Sequence, residues 1–415
     1  APSAGAAVSL PTHSQLVDWA QLRWDQHRQR ILPPSTQETA LVSHHASTGH
    51  HATTAVGSPS SPRGATVRAS DVLDPQAPTV IIAADRGYQP PATADFAGAL
   101  AARLEVPVLA EPSSGVREET WYCPHQQQVL TRWGGQVRQA IVVGTPTLSR
   151  PVGRLLARPD VRVIVLATTS DPVRPWPDLF GNAHWVGPDL EWDVEFAPQV
   201  RDWGRELLAR ARGLTAGIEA APTAGLGVAR AVWDSVEPDQ ILLAGASNAI
   251  RYLDLAAPRP ARAQVFANRG QAGIDGTIAT ALGLHAGSGK AVRVLLGDLT
   301  AIHDVGSLAL PSGAEADVDL VVIDDSGGQI FRTLEHGQAA SESHYQQLFA
   351  MGVNVDYRAL AAAFGWEFAE LVWHEGGAGE LAQILTQYRG GRRLVRVSCD
   401  HSQVGEQLRA VIAGG

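Results

Sequence analysis

The sequence predicts an α/β protein built from two doubly wound, parallel-sheet domains. Three observations carry that reading. Short, continuous apolar runs rich in β-branched residues recur along the chain. Helix-like segments separate them, the alternation that produces a parallel sheet covered by helices. Glycines, carboxylates and arginines gather just past the carboxyl ends of the runs, where open α/β sheets bind their ligands.

Taken in order, residues 1–75 read as a poorly structured segment and linker. "SQLVDWAQLRW" offers a short helix with Leu16, Trp19, Ala20 and Trp24 near one face. "SHHASTGHHATTAVGSPSSPRG" has linker composition. Its pairs His44-His45 and His50-His51 are metal-capable, with a solvated flexible segment as the plainer reading. Residues 76–215 form the first predicted domain. Its strands are "TVIIAA" (79–84), "VPVLAE" (106–111), "QAIVVG" (139–144) and "VRVIVLA" (161–167), with helices in "TADFAGALAARL" and "TLSRPVGRLLA". The amphipathic stretch "VRDWGRELLARARGL" closes it. Residues 216–415 form the second. Its strands are "QILLAG" (240–245), "AQVFAN" (263–268), "VRVLLG" (292–297), "VDLVVIDD" (318–325) and "RLVRVS" (393–398). Helices are predicted near 274–286, 303–310, 356–363, 377–386 and 402–412.

Bulk properties narrow the function. The 415 residues are 45% hydrophobic and 18% charged, a globular composition. A net charge of -9 argues against a nucleic-acid surface. No apolar run approaches the roughly 20 residues of a membrane span. The opening "APSAGAAVSL" lacks the basic and apolar regions of a signal peptide. Only Cys123 and Cys399 are present, which implies no disulfide framework and fits a reducing cytoplasm.

Four strand ends in the second block are chemically loaded. "LLAGASNAIRYLD" places Ser247, Asn248 and Arg251 past a strand. "FANRGQAGIDGTIATALG" places Arg269 there, among Gly270, Gly273 and Gly276. "GDLT" puts Asp298 at a strand tip, and "VVIDDSGGQIF" puts Asp324 and Asp325 at another. The spacing of Asp298 and Asp325, one helix and one strand, brings both carboxylates to the same edge of adjacent or near-adjacent strands. Two carboxylates and a glycine-loop carbonyl make a hard, oxygen-only site suited to Mg²⁺. A helix starting near Thr300 would turn its free N–H groups into the same space, which suits a phosphate.

"GDLTAIHDVGSLALPSGAEADVDLVVIDDSGGQIF" resembles the cofactor motif of thiamine diphosphate enzymes. With "ASNAIRYLD" and "NRGQAGIDGTIATALG" it is similar to one family of them, the MenD or 2-succinyl-5-enolpyruvyl-6-hydroxy-3-cyclohexene-1-carboxylate synthases of menaquinone biosynthesis. The resemblance is strong over 238–337 and continues more weakly over 78–215, where "VVGTPTLSRPVGRLL" is similar to the family's central domain. It implies the thiamine diphosphate-binding fold, with 76–215 as the central and 216–415 as the diphosphate-binding domain. It further implies a cytoplasmic transferase, a homodimer or homotetramer, using thiamine diphosphate and Mg²⁺ or Mn²⁺. Its small-molecule substrates would be 2-oxoglutarate and isochorismate. By the same resemblance Asp298, Asp325 and the Gly327 carbonyl would hold the metal, within a cofactor loop that includes Gly297, Leu299 and Thr300. The motif commonly has Asn where Asp325 stands. Ile274 would be the apolar wedge under the cofactor, and the Ala272 carbonyl would accept from its aminopyrimidine. Ser247, Arg251 and Arg269 would hold substrate carboxylates, and Ile330, Phe331 and Leu334 would form an apolar wall.

One departure stands beside the resemblance. The family places a pyrimidine-binding domain, with a catalytic glutamate, before the central domain. Residues 1–75 do not read as one, and Glu38 has neither the strand before it nor the apolar helix after it. Two functional readings therefore stay open: a thiamine diphosphate-dependent transferase whose turnover needs that domain, and a non-catalytic chain that holds Mg²⁺–diphosphate or partners another subunit. A nicotinamide-binding protein is disfavoured, because no G-x-G-x-x-G opens a helix after the first strand. Arg150, in "TLSRPV", is assigned no role.

Overall fold

The computed structural model describes residues 67–85, 95–166, 183–187, 190–220, 223–269, 271–310, 316–334, 340, 342–352, 354–400 and 404–413. The chain divides into two units, Ala1–Arg63 and Gly64–Gly415, and every described residue lies in the second. The candidate helix near Trp19, the four paired histidines, Glu38 and Gly270 fall outside the described residues.

Two wholly parallel sheets carry the fold, as the sequence predicts. The first contains β1 (Thr79–Ala83), β2 (Val108–Ala110), β3 (Gln139–Val143), β4 (Arg162–Leu166) and β5 (Ala183–Gly187), in the order β2-β1-β3-β4-β5. Every residue of β1 and β3 is buried, which is why each runs on as four apolar residues after its first, Thr79 or Gln139. The helix Phe96–Leu104 starts where the Asp95 carboxylate accepts the Gly98 N–H at 3.0 Å. It ends where Glu105 turns left-handed.

The second sheet contains β6 (Ile241–Ala244), β7 (Gln264–Ala267), β8 (Val292–Gly297), β9 (Val318–Asp324), β10 (Glu367–Val372) and β11 (Arg392–Ser398). Its order is β10-β11-β9-β8-β6-β7. The chain steps outward from β6 to β7, then returns to the other side of β6 with β8. That reversal opens a crevice past the carboxyl ends of β6 and β8.

Several elements were not expected. Strand β10, "EFAELV", is an edge strand that keeps Glu367, Glu370 and Val372 out of the core, so it shows no apolar run. The helices Gln126–Trp133, Ala224–Ser235 and Asn248–Ala256 were also unforeseen. The first opens on three glutamines, the second holds two glycines, and the third begins directly at the residues read as a ligand loop. The helix expected at 303–310 begins earlier, as Asp298–His303, and passes into a 3₁₀ turn, Val305–Ala309. Asp304 breaks it there by accepting the Ile278 and Ala279 N–H groups and the Ser307 hydroxyl.

Asp319 sits in the middle of the second sheet, 1% exposed. It faces Arg293 on β8 and Arg393 on β11 in direct strand register. Arg293 Nε donates to it at 3.0 Å, and Arg393 donates twice, at 2.8 and 2.9 Å. The surplus positive charge meets the carboxyl ends of two helices. Arg293 donates to the Ser235 and Leu385 carbonyls, and Arg393 to that of Ile384. Removing Asp319 would leave two buried guanidinium groups facing one another. Asp319→Ala is expected to destabilise the fold by about 3–5 kcal/mol, as measured by urea unfolding.

Polar side chains join the two sheets. His125 reaches the Leu255 carbonyl and the Thr215 hydroxyl, both at 3.0 Å. Gln126 and Gln127 both donate to the buried Asp254 carboxylate. Glu111, just past β2, is 2% exposed. Burial raises its carboxyl to about 7, against the opposing help of the Leu148 and Thr147 N–H groups. A carboxyl raised in the folded state favours folding while it is protonated. That contribution is complete below about 4.5 and is lost as pH rises through about 7. Stability is expected to fall across this window by at most about 3 kcal/mol from this group. Glu111→Gln should flatten that part of the pH–stability profile in chemical denaturation.

Candidate functional site

The crevice at the β6/β8 reversal is walled by three strand ends. Past β6, the chain turns at Ser247, whose φ of 68° is unusual for a residue with a side chain, and enters the helix Asn248–Ala256. Past β8, Asp298 opens a helix of six residues. Past β9 come Asp325 and then Ser326, Gly327 and Gly328, all with positive φ. A Cβ at Gly327 would lie 2.3 Å from the Ala350 carbonyl oxygen, and one at Gly328 would lie 2.0 Å from that of Phe349. Only glycine permits this close backbone approach. Tyr345 fastens the same turn by donating its hydroxyl to the Gly328 carbonyl at 2.9 Å.

Asp298 links two of these strand ends. Its Oδ1 accepts the Leu299 N–H and its Oδ2 the Gly327 N–H, each at 2.6 Å. The β8 tip thereby holds the glycine turn of its neighbour β9. Burial raises the Asp298 carboxyl to about 6, with the two N–H groups opposing the shift and Asp324 adding to it. Burial, then the charges of Asp298 and Asp324, raise Asp325 well above the ordinary carboxylate range. Arg396 pairs with Asp324 at 2.6 Å, but no cationic side chain pairs with Asp298 or Asp325 among the described residues. Buried carboxylates without a counter-charge are costly. Their donor set is entirely oxygen, which suits a hard divalent cation. Among the described residues no three His, Cys, Asp or Glu side chains converge on one point. A cation here would draw on two carboxylates and backbone carbonyls.

The cleft beside these carboxylates gathers most of the residues expected there. Ser247 and Ile274 line it from one side, and Gly297, Asp298, Leu299 and Thr300 from β8. Asp325, Ile330 and Phe331 complete the wall. Five expected residues lie apart from this lining. Gly327 stands behind it in the turn. Ala272, with φ of 54°, lines a separate depression with Asp275 and Gly276. Leu334 follows the 3₁₀ turn Gln329–Thr333. Arg251 folds back to donate to the Ser247 carbonyl at 2.6 Å. Arg269 is buried against the first sheet, donating to Thr147 Oγ1 at 3.1 Å and to its carbonyl at 2.8 Å.

Two cleft residues were not anticipated, Tyr252 and Gln329. Asn248, already read at this strand end, donates to the Tyr252 hydroxyl at 3.3 Å, and both line the cleft. Gln329 donates to the Asp325 carbonyl at 3.1 Å, while its Oε1 is buried without a partner among the described residues. A buried acceptor of this kind is suited to a donor from a ligand or water. The signal was legible in "SGGQIF", where Gln329 directly follows the glycine pair.

No protein-family model matches the chain. Curated relatives do. A 2-succinyl-5-enolpyruvyl-6-hydroxy-3-cyclohexene-1-carboxylate synthase from Nocardioides sp. is 37% identical over 329 residues, covering 75% of this chain and 60% of the relative. The synthase of that name from Kineococcus radiotolerans is 37% identical, over 81% of this chain and 60% of its own length. The one from Renibacterium salmoninarum is 34% identical, over 75% and 57%. The chain thus spans about 60% of the length of the curated relatives it matches. Over that span, with its two parallel sheets and the acidic cleft at the strand reversal, it belongs to the 2-succinyl-5-enolpyruvyl-6-hydroxy-3-cyclohexene-1-carboxylate synthase family.

Proposed function

We propose that this chain is the central and diphosphate-binding part, residues 76–215 and 216–415, of a thiamine diphosphate- and Mg²⁺-dependent transferase. The reaction is decarboxylation of 2-oxoglutarate and addition of the remaining four-carbon unit to isochorismate, in menaquinone biosynthesis. The observation that carries this reading is the pair Asp298 and Asp325, buried at neighbouring strand ends without a counter-charge among the described residues. Cytoplasmic location and a homodimer or homotetramer belong to the same reading. Among the described residues no helix is long and apolar enough to cross a membrane.

The residues present fit a divalent cation and the diphosphate it would carry. Asp298, Asp325 and the Gly327 carbonyl would hold the cation, and the backbone of Gly297, Leu299 and Thr300 would flank the diphosphate. When bound, thiamine diphosphate supplies the electron sink for loss of CO₂. Ile274, Ile330 and Phe331 give the cleft an apolar lining that would favour the exclusion of water, and Leu334, which stands outside that lining, would belong to the same wall with ligand bound. Low polarity there favours departure of a charged carboxylate as neutral CO₂. Ser247, Arg251 and Arg269 would orient substrate carboxylates, and the Ala272 carbonyl would accept from the aminopyrimidine.

Two outcomes test this reading. Calorimetry with Mg²⁺ and thiamine diphosphate should detect binding to the 415-residue chain. Asp298→Ala should weaken it by at least about tenfold, as loss of a metal-site group does; unchanged affinity would remove the metal assignment. Product formation by the chain alone should be slow. Supplying the pyrimidine-binding part of a relative should restore a factor of about 10²–10⁴ from acid–base catalysis. Fast turnover without it would show that a group of this chain supplies the proton.

A further inference from the structure

Arg269 is oriented by the sheet that does not carry it. It follows β7, yet its Nε and one Nη both donate to Thr147, in the loop between β3 and the helix Arg150–Leu156 of the first sheet. That loop is held in turn by a single carboxylate oxygen. Glu111 Oε1 accepts the N–H groups of both Thr147 and Leu148, each at 2.9 Å. Its other oxygen, Oε2, is buried and has no hydrogen-bond partner among the described residues. Burying a carboxyl with half its acceptors unused is costly.

The geometry also limits how Arg269 meets a ligand. A guanidinium has five N–H groups in a rigid planar fork. The edge formed by Nε and one Nη is taken by the Thr147 hydroxyl and carbonyl. The remaining N–H groups face away from Thr147 along the end of the fork. That end matches the two oxygens of a carboxylate.

We infer that Glu111 is a positioning residue for Arg269: by fixing the backbone of Thr147 it sets the direction in which the guanidinium presents its free end to a substrate carboxylate. This rests on the reading of Arg269 as a carboxylate-binding group. The line from Glu111 through Thr147 to Arg269 joins the carboxyl ends of β2, β3 and β7. A contribution of the first sheet to the site is thus made without touching the substrate.

The test uses the 415-residue chain with Mg²⁺ and thiamine diphosphate, and succinate as probe. Succinate carries two carboxylates but no ketone to react. Calorimetry should show Arg269→Ala and Glu111→Ala each weakening succinate by about tenfold or more, the loss of a charge-assisted hydrogen bond or of its alignment. Thr147→Val, which keeps the carbonyl and loses the hydroxyl, should weaken it less. Glu111→Gln should restore most of the affinity, because the amide oxygen can still accept both N–H groups. Thiamine diphosphate affinity should be unchanged in Glu111→Ala. Loss of succinate binding in Arg269→Ala but not in Glu111→Ala overturns the positioning role and leaves the substrate reading standing. Failure of Glu111→Gln to restore binding, or equal loss of thiamine diphosphate, shows a structural role and overturns the inference. Succinate binding that is absent in the unsubstituted chain, or unaffected by Arg269→Ala, overturns both.

Discussion

The site depends on strand register, and Arg293, Asp319 and Arg393 hold it. These residues face one another across β8, β9 and β11. In the same register, Gly297 faces Ile323 at the far end of the β8–β9 pair, so Asp298 and Asp325 emerge together past the sheet edge. A slip of one residue between β8 and β9 would turn each side chain to the opposite face. An all-apolar sheet centre would tolerate such a slip better, since one Val or Leu packs much like another. A buried carboxylate with two guanidinium partners does not. Replacing such a triad by hydrophobic residues need cost little stability. Its value in this fold is that it penalises every register but one.

The two ends of this sheet carry opposite electrostatics. Toward the amino ends of the strands, two buried arginines outnumber one aspartate, and helix carboxyl ends absorb the difference. Toward the carboxyl ends lie Asp298, Asp324 and Asp325, and among the described residues the one ion pair to these acids is Arg396 with Asp324, which Glu370 shares. The acidic surplus reaches beyond the carboxylates. Burial raises the Tyr252 hydroxyl and the Cys399 thiol, and the nearby acids add to both shifts. A sheet that balances its charge at one end and leaves it unbalanced at the other is asymmetric in the sense that matters for binding a cation.

What was legible in the sequence follows from this layout. Continuous apolar runs showed the central strands, buried on both faces, and the spacing of "GDLT" and "DDSGG" showed the two carboxylates at neighbouring ends. The edge strand β10 escaped notice because its exposed positions interrupt the apolar pattern. The helix Asn248–Ala256 was absent from the expected helices because its polar start, Ser247 and Asn248, drew the reading to the strand end; its buried Ile250, Leu253 and Leu255 show the apolar face that was overlooked. Contacts between the two sheets left no local trace. Thr147 and Arg269 are 122 positions apart, and nothing in either neighbourhood announces the other. The same holds for Gln127 and Asp254, 127 apart.

These long-range contacts change what the second sheet can be by itself. It builds the acidic cleft from its own elements, since Asp298 of the β8 tip holds the glycine turn past β9 and Tyr345 fastens that turn. It does not own the orientation of its arginines. Arg269 is set by Thr147, and the helix that carries Arg251 is gripped at Asp254 by Gln126 and Gln127 of the first sheet. The geometry of the acidic cleft is therefore largely set within one sheet, while the orientation of these arginines is set by the docked pair. Asp254, which burial raises to about 6, and Glu111 both sit in that junction. Two carboxyls that ionise near neutrality inside an interface couple the fit of the two sheets to the protonation state of the groups between them. Substitutions in the first sheet that never approach the cleft can accordingly change how Arg251 and Arg269 are held while leaving Asp298 and Asp325 in place.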